Sequence, residues 1–271
     1  MTRTDIIQKV ANVIIFIFFA SMTGYTTFGK DRIANLLDEY ETYFSPARWF
    51  FLAWSIIHIF LLCFVIYQWT DTAHEIVMHD VNWMFVTSAV LNSIWFRLLE
   101  DGHTILSFII SLFLVSSVSI IFHNLAQQDG ASAWAEKLFI HAPFSLWHGF
   151  TIFLVVLNAF ITFTKVDKDE YHTVLPPSPL QAALVYLALI FLTISAIGYV
   201  QYKHDRGDVT SSWVIAFSLW AVFDQQRPFD VICWPTLVAA ILSTIYPAKP
   251  YIYKLFRIST SSSEASPPLL G

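Results

Sequence analysis

The sequence predicts an all-α integral membrane protein of about eight transmembrane helices. Hydrophobic residues make up 56% of the chain and charged residues only 13%, with a mean hydropathy of +0.59, well outside ordinary soluble composition. Apolar runs long enough for a hydrocarbon core of roughly 30 Å recur along the chain, each followed by a short polar stretch. These runs are continuous and lack strand-like alternation. Helices, which close every backbone bond within the segment, are therefore expected rather than a barrel.

The first run, Ile6 to Phe28, exceeds the apolar core of a secretory signal and ends in no small-x-small cleavage site, so it is expected to be a span. The second runs from Trp49 to Trp69 and the third from Val81 to Leu99, where Arg97 beside Glu100 and Asp101 suits a snorkelling arginine at a helix end. Thr104 to Leu125 and Leu138 to Thr164 form the fourth and fifth. The stretch "TKVDKDEYHTVLPPSPLQ" then joins a charge run to a proline cluster, the best candidate boundary in the chain. Leu180 to Gln201, Ser212 to Phe223 and Val231 to Tyr246 follow it. The seventh run is short and is closed at once by Asp224 to Pro228, so a seven-span count stays open. Residues 1–165 thus form a five-helix unit, 166–179 a polar proline-containing loop, and 180–250 three additional spans. The serine-rich tail, 251–271, has nothing to bury and is expected to be largely disordered.

Several functions are disfavoured by composition. A net charge of -5 with scattered Lys and Arg offers no basic block for nucleic acid. Cys63 and Cys233 fall inside apolar runs and make no disulfide or zinc framework. "HEIVMH" sets His74 and His79 five apart, not the four of a zincin helix, and "RGD" at Arg206 to Asp208 is a chance match in a polar loop. No mid-span lysine is placed to form a retinal Schiff base. Counted over alternate loops, Lys and Arg divide eight to seven, so the charge rule leaves orientation undecided.

The informative residues are the polar ones inside the spans. In the fifth, His141, Ser145, His148 and Thr151 step along one face, with Asn158 and Thr162 further on. The third offers Ser88, Asn92 and Trp95, and the second Ser55 and His58. Such side chains face the bundle interior or a cavity. They serve equally as interhelical glue, worth about 0.6 kcal/mol per hydrogen bond on average. Trp54, Trp95 and Trp147 lie on the same three spans, and flat rings beside a few polar groups suit a planar or sterol-like ligand.

Three segments together resemble the tryptophan-rich sensory protein, or translocator protein (peripheral benzodiazepine receptor), family, and especially its longer multi-span relatives. "SPARWFFLAWSIIHIF" is similar to the family's opening of span two through Pro46, Ala47, Trp49, Phe51 and Trp54, with Arg48 in place of a glycine and His58 where longer relatives commonly have tyrosine. "LNSIW" matches Leu-Asn-x-x-Trp through Leu91, Asn92 and Trp95. "HAPFSLWHGFTIFLVVLN" matches through Pro143, Phe144, Ser145, Trp147, Gly149, Phe150, Thr151 and Asn158. The likeness covers roughly residues 1–165 and leaves the last three spans without a motif.

The resemblance implies a five-helix bundle whose cavity, beneath the loop between spans one and two, takes hydrophobic ligands such as tetrapyrroles and sterols. Roles proposed within the family include transport, sensing and porphyrin degradation. The family's cholesterol motif is not met, since "NAFITFTK" carries phenylalanine where tyrosine belongs. Arg48 would stand near the cavity mouth, facing an anionic ligand or a lipid headgroup. The expected function is binding of a hydrophobic or planar small molecule or lipid for transport or sensing, without catalysis. The ligand residues expected are Trp49, Trp54, His58, Asn92, Trp95, Ser145, Trp147 and His148. A homo-oligomer is compatible, and a proton-linked transporter or a non-catalytic membrane scaffold stands as the alternative.

Overall fold

The computed structural model describes residues 2–28, 39–127, 134–171, 173–201 and 208–264, with side chains described outside 25–28 and 249–264. Helices dominate: α1 (Arg3–Phe28), α2 (Arg48–Tyr67, opening as a 3-10 turn), the short α3 (Asp71–Ile76), α4 (Met84–Glu100), α5 (Thr104–Gln127), α6 (Trp134–Phe163), α7 (Pro179–Gln201), α8 (Val209–Gln225) and α9 (Asp230–Glu264). Among the described residues, six are long and apolar enough to cross a membrane: α1, α2, α5, α6, α7 and the Asp230–Ala248 part of α9. The third and seventh expected spans correspond to α4 and α8, each of 17 residues.

Local chemistry sets the helix ends. Val81 belongs to a wide turn, Val77–Val81, that follows α3, and Asn82 at φ +48° breaks the backbone before α4. The Asn82 side-chain oxygen accepts from the Trp83 backbone N–H at 2.7 Å, the local bond that lets asparagine hold a left-handed φ. Gly102, at φ +79°, makes the turn from α4 to α5. In α6 the backbone widens to a π turn over Lys137–His141, directly before Pro143. Proline has no N–H to donate and its ring presses on the carbonyl four residues back, so the preceding turn opens. Asp208 caps α8, its Oδ1 accepting from the backbone N–H groups of Thr210 and Ser211. Arg206 and Gly207 of the "RGD" match lie outside the described residues, as do 265–271 of the serine-rich tail, while α9 runs on to Glu264.

Packing closes the first five spans into a ring in the order α1, α4, α5, α6, α2 and back to α1. The interior of that ring is aromatic, with Phe19, Phe50, Trp54, Phe64, Phe85, Phe144, Trp147, Phe150 and Phe153 all buried. Large apolar side chains such as Ile14, Leu52, Ile59, Ile66, Ile105 and Phe113 stay exposed on the outside, where hydrocarbon rather than water is the solvent. α7, α8 and α9 pack on one another, and α8 docks the trio onto α6. At that contact a Cβ on Gly149 would stand 2.5 Å from the Ser211 carbonyl oxygen, so only glycine allows the two helices this approach.

The end of the bundle that carries the start of α1 also carries α3 and the start of α6. At the opposite end lie the 39–48 segment, the 164–178 loop and the α8–α9 turn. These three are tied together. Gln226 Nε2 donates to the carbonyls of Thr42 and Ser45 at 3.2 and 3.1 Å, and the Ala47 N–H donates to the Ala221 carbonyl at 2.8 Å. Tyr43 OH donates to the Leu175 carbonyl at 2.8 Å, and Lys168 pairs with Glu41 at 3.1 Å.

Candidate functional site

Within the five-helix ring, Phe19 of α1 sits among three rings from two other helices. It stacks on Trp147 of α6 at 5.5 Å, meets Trp54 of α2 edge-on at 5.8 Å, and lies against His58 of α2 at 4.6 Å. Trp54 and His58, one turn apart on α2, are themselves 5.5 Å apart, and Phe150 of α6 closes on Trp54 edge-on at 4.7 Å. These residues form an aromatic box at mid-span. On the side of the 39–48 segment, Phe44 of that segment stacks on Phe160, and Phe50 at the start of α2 stacks on Phe150.

The polar atoms of the box are its distinctive feature. Trp54 Nε1, Trp147 Nε1 and His58 Nε2 are all buried and have no hydrogen-bond partner among the described residues. The other ring nitrogen of His58 is occupied, since Nδ1 lies 2.7 Å from the Trp54 carbonyl oxygen. Buried polar groups in folded proteins are nearly always paired; among the described residues ten buried side-chain atoms lack a partner, and three of them lie on the adjacent rings of this box.

The eight residues expected to line one cavity separate into several environments. Trp54, His58 and Trp147 come together in the box. His148, next to Trp147 but about 100° around the helix, points elsewhere. Its Nε2 lies 2.8 Å from Ser119 Oγ on α5, its Nδ1 2.7 Å from the Tyr199 hydroxyl on α7, and its ring stacks on Phe122 at 4.6 Å. Ser119 Oγ also donates to the Val115 carbonyl at 2.7 Å, which makes the serine an acceptor for His148 Nε2–H and leaves Nδ1 to accept from Tyr199. His148 is thus saturated and ties α5, α6 and α7.

Ser145 meets the α6–α8 contact, its carbonyl accepting from Ser211 Oγ at 2.8 Å. Trp95 donates to Asn158 Oδ1 at 3.3 Å, and Ser107 donates to the same oxygen at 3.1 Å. That joins α4, α5 and α6, linking Trp95 of "LNSIW" to Asn158 of "HAPFSLWHGFTIFLVVLN". Asn92 is buried one turn before Trp95, with its Oδ1 unpartnered among the described residues. Trp49 lies against α8 rather than in the box, donating through Nε1 to Asp224 Oδ2 at 2.9 Å and meeting Phe217 edge-on at 4.9 Å. Arg48 beside it is exposed.

The polar stripe of α6 therefore faces α5, α7 and α8, while the adjoining aromatic face looks into the box. Phe19, Tyr199, Ser119, Asp224 and Gln226 all matter here and carried no sequence signal: each is one unremarkable residue in a span or loop until its partner is known. Ser88, by contrast, bonds Ser117 Oγ at 2.9 Å across α4 and α5, as interhelical glue would. Among the described residues no group of three or more His, Cys, Asp or Glu side chains is placed to hold a metal ion.

A family model for TSPO-like protein matches residues 6–247, from the start of α1 almost to the end of the membrane-spanning part of α9. The match extends past residue 165, where the motif likeness stopped, and takes in the last three helices. No curated protein and no solved structure matches the chain. With six helices able to cross a bilayer, and with a family model spanning nearly all of it, the chain is an integral multi-pass membrane protein that belongs to the TSPO-like family.

Proposed function

We propose that the protein binds a rigid, largely apolar small molecule of sterol or tetrapyrrole type in the aromatic box, for transport or sensing and without catalysis. The observation that carries this reading is the set of unpartnered nitrogens on Trp54, Trp147 and His58 around Phe19. A buried donor or acceptor left unpaired costs about 1–3 kcal/mol, and a ligand with matching polar atoms removes that cost as it binds. Flat faces supply the remaining contact area, with Phe19 standing where a planar ligand would stack on Trp147. Interhelical glue describes His148 and the Asn158 carbonyl oxygen better than it describes the box, because both ring nitrogens of His148 and Oδ1 of Asn158 are bonded across helices. The same saturation weighs against a proton relay through His148.

The test is a titration of purified protein with a porphyrin and with a sterol, following tryptophan fluorescence. Saturable quenching is expected, with binding at least about tenfold weaker in Trp147→Ala. A protein that retains its fold and gives no saturable signal with either probe would overturn the reading.

A further inference from the structure

The box has a hydrogen-bonding polarity that can be assigned atom by atom. A backbone carbonyl only accepts, so the 2.7 Å contact between His58 Nδ1 and the Trp54 carbonyl places the imidazole hydrogen on Nδ1. The described rings around His58 are Phe16, Phe19 and Trp54, none of them charged, and a neutral imidazole in such surroundings carries one hydrogen only. His58 Nε2 is therefore a bare lone pair, buried and without a partner among the described residues. The two indole nitrogens are the reverse, because an indole N–H donates and never accepts. The box thus presents one acceptor and two donors.

We infer that the site selects ligands carrying a hydroxyl group, whose hydrogen meets His58 Nε2 while an oxygen accepts from a tryptophan N–H. This rests on the box being the ligand site, as proposed above, and adds a specificity to it: an apolar fused-ring alcohol is taken in preference to the matching ketone. The two molecules have nearly the same shape and apolar area. They differ at one point that His58 reads. A hydroxyl oxygen both donates and accepts, so it satisfies the imidazole and remains available to an indole. A ketone oxygen only accepts. It can serve a tryptophan, but it leaves the His58 lone pair unpaired or forces two lone pairs together. His58 is thereby a specificity-determining residue, at a position where the resemblance to longer relatives would place tyrosine, a side chain able to donate.

The experiment compares a sterol with its ketone on wild-type protein by tryptophan quenching, then repeats the pair on two variants. The alcohol is expected to bind about tenfold or more tightly than the ketone, the discrimination that one unsatisfied buried group produces. His58→Gln, which keeps a carbonyl oxygen as acceptor, retains part of that ratio, and His58→Phe brings it to about one. Equal wild-type affinities for alcohol and ketone would overturn the inference while leaving the box as the binding site; no saturable binding of either would remove both. An absorption shift on adding haem that is present in wild type and lost in His58→Phe would assign the lone pair to a metal centre instead, and would also overturn it. The wild-type comparison decides the matter even if His58→Phe fails to fold.

Discussion

At the scale of single residues, the same side-chain types stand in two different settings, with hydrogen-bond partners on other helices or without one among the described residues. Asn158 is a structural junction, with Oδ1 receiving hydrogen bonds from Trp95 and Ser107 on two other helices. Asn158→Ala strands both donors in a buried setting, and the loss expected is about 1–3 kcal/mol. Thermal unfolding in detergent would show it as a lowered midpoint, and an unchanged midpoint would mean the two donors find other partners. Trp147, His58 and Trp54 have no such ties, so conservative changes to them are expected to alter ligand binding more than stability. The residues expected from the sequence to line one cavity include both kinds. His148 and Trp147 are neighbours in the chain, and hydropathy alone gave no reason to separate them. One helical step of about 100° sends the first into a bonded contact with α5 and α7 and the second into the box.

Among the helices, α8 shows why length was a poor guide. The run Ser212 to Phe223 is the weakest of the expected spans, yet α8 lies against α6, α7 and α9 and buries Ser211, Ser212, Ala216, Ser218 and Ala221. Small residues suit a helix whose neighbours are backbones, and they lower the apolar signal that marks a lipid-facing span. The third expected span was displaced for a different reason. Its apolar run begins at Val81, but Asn82 turns the backbone and the helix starts at Met84. The long apolar helices were legible because each carries its signal within itself; the packing order was not, because it depends on surfaces brought together only in the fold. Gly149 is the sharpest case. Gly149→Ala would set a methyl group 2.5 Å from the Ser211 carbonyl, which the α6–α8 contact can relieve only by separating. Overpacking of this kind costs about 1–3 kcal/mol. Limited proteolysis should then cut near α7–α9 sooner than in wild type, whereas an unchanged digestion pattern would show that the trio is held mainly elsewhere.

For the whole molecule, the last three helices bear on the site through the 39–48 segment rather than through the box itself. That segment crosses the end of the five-helix ring and is held from both sides: by the 164–178 loop through Tyr43 and Glu41, and by the end of α8 through Ala221 and Gln226. Gln226 is the central tie because one buried amide nitrogen serves two backbone carbonyls, those of Thr42 and Ser45. Gln226→Leu keeps the volume and removes the donor. Both carbonyls then favour positions where water reaches them, and the segment opens more often. Two consequences are expected together: faster hydrogen exchange at the Ala47 amide, which donates to Ala221, and faster dissociation of a bound sterol or porphyrin, with the contacts inside the box unchanged. If the Ala47 amide exchanges faster while ligand dissociation stays the same, the segment is not the route by which ligand leaves. In that case the apolar gaps between helices facing the bilayer become the path to test. If both rates rise, the three C-terminal helices set how long a ligand stays without touching it, which gives the additional spans a role in the same function as the five-helix ring.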